Sequence, residues 1–170
     1  MNRPDRPGAR RALLLVAAMV AAFSGGCADD SPTSDTASRQ AEVAQRGASV
    51  MPFDLDRTTH RFTKTGSGGV QTVVADDPRD TTQITLIREH LAAEVDRFRR
   101  GDFTDPAAIH GDRMPGLEIL RQHGGRITIG QETTADGGRV TYTTAVPDLV
   151  DALHAWFDAQ VSDHGAHATR

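Results

Sequence analysis

The stretch THRFTKTGSGGVQTVVADDPRDTTQITLIREHLAAEVDRFRRG, residues 59–101, changes hydrophobic period in its middle. THRFTKT alternates, and GGVQTVVADD follows across the glycines of Gly66–Gly69, which predicts a β-hairpin. From Asp80, a predicted N-cap, the period becomes helical. Ile84, Ile87, Leu91, Val95 and Phe98 fall on one stripe, and Gly101 ends it. This stretch therefore reads as a β-β-α unit.

A second unit of the same order follows. RITIGQETTADGGRVTYTT predicts a hairpin turning at Asp136–Gly138. Pro147 opens a helix with Val150, Leu153, Phe157 and Val161 on its buried face, and Gly165 ends it. Between the units lie a Gly- and Pro-rich loop, residues 105–116, and a short helical stretch from about Gly116 to Gln122. GGVQTVV matches GGRVTYT in position, and the helix carrying His90 matches the one carrying His154. The expected fold is α+β: two ββα units forming a four-stranded antiparallel sheet with both long helices on one face.

The front of the chain reads as an address. Arg3, Arg6, Arg10 and Arg11 precede a short apolar run, Ala12–Phe23, too short to cross a bilayer but suited to an export signal over residues 1–26. SGGC, Ser24–Cys27, resembles the lipobox of bacterial lipoproteins, which implies lipidation of Cys27 and a membrane anchor there. The predicted location is the outer face of the plasma membrane or the outer membrane, with a soluble secreted or periplasmic form as the alternative. Residues 27–50 are polar and small and read as a flexible tether to one domain spanning 51–170.

Cys27 is the only cysteine, so the predicted domain has no thiol for a disulfide, a thiolate zinc site or a cysteine nucleophile. The formal net charge is −4; the leader's four Arg and one Asp contribute +3 and leave −7 on the remainder. An acidic domain does not suit nucleic acid, which requires a basic face.

Histidine and methionine carry the remaining chemistry. His90 and Glu94 sit at i and i+4 on the first long helix, and His154 and Asp158 do so on the last. His164 continues the Phe157–Val161 face if that helix runs to its end. His110 and Met114 project from a loop that Gly111, Pro115 and Gly116 stiffen. Imidazole suits zinc, copper, iron and nickel, and a thioether favours copper. The expected metal set is therefore His90, Glu94, His110, Met114, His154, Asp158 and His164, with copper first, then zinc, then non-covalent haem. The plain alternative is an ion pair on each helix, a Met filling a core gap, and an envelope protein–protein interaction module. His60, in the first strand, reads as a packing residue. No catalytic residues are assigned. Gly-x-Ser-x-Gly, His-Glu-x-x-His and a phosphate loop are all absent from the sequence, which places a metal-dependent hydrolase last.

The blocks MPFDLDRTTHRF, GGVQTVV, LIREHL, GDFTDPAAIHGDRMPGL and ALHAWFDAQVSDHG together resemble a family of small exported bacterial and archaeal proteins, often labelled aspartate carbamoyltransferase. The resemblance covers most of the chain after residue 51. Transcarbamoylases hold carbamoyl phosphate with a Ser-x-Arg-Thr-Arg loop in a two-domain enzyme. This chain has neither that loop nor that length, so the resemblance implies no such activity.

Overall fold

The computed structural model describes residues 34–170. The leader and Cys27 lie outside them. The fold is α+β, with the order α1 (Ser34–Val50), β1 (Thr58–Thr65), β2 (Gly68–Ala75), α2 (Thr81–Arg99), α3 (Thr104–His110), α4 (Leu117–His123), β3 (Thr128–Thr133), β4 (Gly137–Thr143), α5 (Pro147–His164) and β5 (Ala168–Thr169).

The sheet has five strands rather than the expected four, in the order β3-β4-β2-β1-β5. The first four pair antiparallel, and β5 joins the outer edge of β1 in parallel, with His60 opposite Ala168. Two residues carry no periodicity, which is why β5 is not visible in the sequence.

Strand alternation assigns one face to the core. Thr58, His60 and Phe62 on β1 share that face with Gln71 and Val73 on β2, and with Val140 and Tyr142 on β4. Arg61, Thr63, Arg139, Thr141 and Thr143 alternate onto the other face and are exposed. One wet face and one dry face is the common state of an antiparallel sheet.

α2 packs on β2, β3 and β4, and α5 on β1 and β2. α2 starts where its sequence indicates, with Asp80 accepting from the Gln83 amide. α5 buries Leu149, Leu153, Trp156, Phe157, Gln160 and His164, so its dry stripe is rotated from the predicted one, and Val150 and Val161 are only partly buried. Trp156 sits at the centre, edge-on to Phe98, Phe103 and Tyr142.

Two further differences bear on the site. Residues 34–50, read as tether, form α1, which buries Val43 and packs on α3 and α5. Its two valines, Val43 and Val50, among alanines and polar residues give too weak a stripe to read from sequence. The expected loop 105–116 is helical in its first half, and His110 is the last residue of α3. Gly116, at φ +77°, then brings the chain so close to α5 that a Cβ there would stand 2.1 Å from the Ala152 carbonyl oxygen.

Candidate functional site

A cavity of about 50 Å³ lies between the helices and the dry face of β1 and β2, the latter contributing Gln71. β1 contributes His60, held inward by alternation with Phe62. α2 contributes His90 and Glu94, one turn apart. α3 contributes Asp105 and His110 from its two ends. α5 contributes Trp156, Gln160 and His164, spaced by four and so stacked on one face. Val50 and Met51, at the end of α1, lie at its rim.

Three of the imidazoles form a row. The His60 and His164 ring centroids are 5.4 Å apart, and those of His164 and His110 are 5.0 Å apart, both pairs edge to face. His110 is fixed from behind. Its Nδ1 lies 2.8 Å from Asp163 Oδ2, and Arg39 of α1 donates to both oxygens of that carboxylate, at 3.2 and 2.7 Å. Arg39 also donates to the His110 carbonyl, at 2.7 Å. Burial works against the charge on Asp163, but the hydrogen bonds from His110 and Arg39 outweigh it and hold its pKa at about 2. An ionised carboxylate only accepts, so the His110 Nδ1 carries the hydrogen of that bond.

His60, His90 and His164 are shifted towards the neutral form. Burial first, and then the charge of neighbouring histidines, lowers His60 to about 4 and His164 to about 3. Burial also lowers His90. Neutral imidazole is the metal-binding form.

Glu94 shifts the opposite way. Burial, then a hydrogen bond to Asp105 and the charge of that carboxylate, push it up to about 8, against the pull of Arg97. Arg97 donates to Glu94 at 3.0 Å and pairs with Asp105. Between its usual 4.5 and about 8, Glu94 holds a proton in the folded chain that it loses on unfolding. Stability then falls as pH rises through that window. Glu94→Gln removes the titrating group. Between about pH 7.5 and pH 9, above the range where the lowered His60 and His164 titrate in the unfolded chain, its melting temperature is expected to fall less than that of the parent; parallel profiles would contradict the assignment.

Among the described residues, three buried side-chain polar atoms lack a hydrogen-bond partner: His60 Nε2, Trp156 Nε1 and Gln160 Oε1. All three residues line this cavity. Buried polar atoms are rarely left unpaired, at a cost of about 1–3 kcal/mol each, so three in one place single out this cavity.

Of the residues singled out from sequence, the cavity gathers His90, Glu94, His110 and His164. Met114 does not line it. Its side chain belongs to the apolar core, beside an outer groove behind His110. His154 faces the first hairpin, where Nε2 donates to the Thr65 and Gly68 carbonyls at 3.0 and 2.9 Å. Asp158 pairs with Lys64 and Arg170. His60, read as packing, is central to the cavity. Its position on the Phe62 side of the alternation was the available signal.

Among the described residues no three His, Cys, Asp or Glu side chains already converge to hold an ion, and no helix is long and apolar enough to cross a membrane. The chain matches no protein-family model, no curated protein and no solved structure.

Proposed function

We propose that this domain binds one transition metal ion in the cavity through His60, His110 and His164, with His90 and Glu94 as flanking donors. The carrying observation is the row of three buried imidazoles beside an orphaned His60 Nε2. Two imidazoles on one tetrahedral ion, each about 2 Å from it, place their ring centroids about 5 Å apart. Both neighbouring pairs in the row already have that separation. Edge-to-face packing alone also gives such distances, but it leaves the His60 nitrogen unpaired. An ion shared by all three also requires the His60 and His110 rings to approach one another.

The donor set changes the order of ions. Without the Met114 thioether it is imidazole and carboxyl, which suits divalent zinc and copper alike. A cavity of about 50 Å³ takes an ion and a water or two. Cofactor pockets are roughly 300 Å³ or larger, so haem leaves the proposal. The leader and the lipobox-like SGGC support a setting in the cell envelope, anchored through Cys27, where the chain would meet ions outside the cytoplasm.

The test is elemental analysis of the full-length chain, exported and purified without chelator or polyhistidine tag. About one equivalent of zinc or copper is expected. A chain that is metal-free and refuses both added ions would overturn the proposal and turn attention to protein partners. A second measurement addresses the Asp163 support. Asp163→Asn keeps the shape but removes the charge that orients His110, and chelator competition should show affinity falling by about 10- to 100-fold. Unchanged affinity would remove His110 from the ligand set.

A further inference from the structure

The histidines account for only one of the three orphaned atoms. Trp156 Nε1 and Gln160 Oε1 remain, on consecutive turns of α5, both deeply buried and both lining the cavity. Their chemistry is complementary. The indole nitrogen only donates, and the amide oxygen only accepts. An ion satisfies neither donor nor geometry at Trp156, and an apolar guest satisfies neither atom. A single small guest serves both if it carries a lone pair and an O–H. Water and hydroxide are such molecules, and the cavity has room for one beside an ion.

We propose that Trp156 and Gln160 hold an exogenous oxygen ligand on the bound ion, so that the centre keeps one exchangeable position beside its protein donors. Closed structural zinc sites fill all four positions with protein donors, whereas open sites keep one for water or an incoming ligand. This inference rests on the proposed metal site. It adds that the site is open and names the class of molecule that enters: a small hydroxylic or anionic ligand of a few atoms. His90, Asp105 and Met51 are only partly buried and form the approach from solvent.

The experiment loads the full-length chain with Co(II) and titrates azide while recording the visible spectrum. An open position gives a saturable spectral change at one azide per cobalt. The two side chains then predict opposite signs. Trp156→Phe deletes the donor facing the anion and should weaken azide binding by about tenfold or more. Gln160→Met deletes a lone pair facing the anion and should leave azide binding unchanged or tighter. Cobalt content and melting temperature report separately on the site and the fold. Cobalt uptake with no response to azide would overturn this inference and leave the metal reading intact. No cobalt uptake would overturn both. Azide binding that weakens in Gln160→Met, or that is unchanged in a folded Trp156→Phe, would also overturn it.

Discussion

Replacing His164 by leucine is expected to lower the metal content of the purified chain from about one equivalent to below about a tenth, and to weaken affinity by at least about 100-fold, roughly 2.7 kcal/mol. His164 is the middle ring of the row and the only one in contact with both others. Loss of an outer ring leaves an adjacent pair, but loss of His164 leaves His60 and His110 apart. Leucine fills most of the vacated volume without a polar atom, so the fold should tolerate it. His154→Leu is the matched control. It lies on the same helix but faces the first hairpin, donating to Thr65 and Gly68. It should retain the ion and lose some thermal stability. Metal analysis, chelator competition and circular dichroism on the two variants decide the matter. Equal loss of metal in both, or none in His164→Leu, would refute the assignment.

A large loss of stability should come from Gly116→Ala. Two costs add there. The residue stands at φ +77°, which disfavours any L side chain by about 1–2 kcal/mol. The new methyl would also sit 2.1 Å from the Ala152 carbonyl and 3.2 Å from the Trp156 amide nitrogen, so α4 must back away from α5. Overpacking of this kind costs a further 1–3 kcal/mol, about 3 kcal/mol in all, and about a 10 °C fall in melting temperature. Gly111→Ala is the clash-free comparison. Gly111 stands at φ +85° and ψ 157°, a region essentially reserved for glycine, with nothing within 4 Å of its would-be Cβ. It should pay a conformational cost of about 1–3 kcal/mol and no steric one. A Gly116→Ala chain that melts level with the parent would show that the close crossing of α4 on α5 is not a constraint.

How much of this was legible follows the length of each pattern. α2 and α5 are long enough for a 3.6-residue period to emerge, and the strands of both hairpins for a two-residue period. α1 and β5 failed for lack of signal, the first nearly without large apolar residues and the second only two residues long. The site was legible in part because His90, Glu94 and His164 lie on helices whose inner faces the pattern reveals. His60 could be placed inward by the same logic, but that did not show which helix residues it would meet. His154 and Asp158 mimic the His90 and Glu94 spacing, and their partners Lys64, Thr65 and Gly68 come from the hairpin above them. Met114 shows the limit most clearly: four positions from His110, it is turned into the core by the bend that ends α3.

The walls of the cavity come from widely separated parts of the chain, with His60 and His164 more than a hundred positions apart. No fragment ending before residue 164 holds both. In the unfolded chain the histidines are strangers, and an ion finds at most isolated imidazoles. Capture of an ion by the proposed site would therefore be almost wholly coupled to completion of the fold, and each tenfold excess of free ion over the dissociation constant would add about 1.4 kcal/mol to the native state. For a small domain without a thiol in its core, the ion concentration of its surroundings would then act as a thermostat on its lifetime. The same chain would persist where the ion is plentiful and be cleared by proteases where it is scarce.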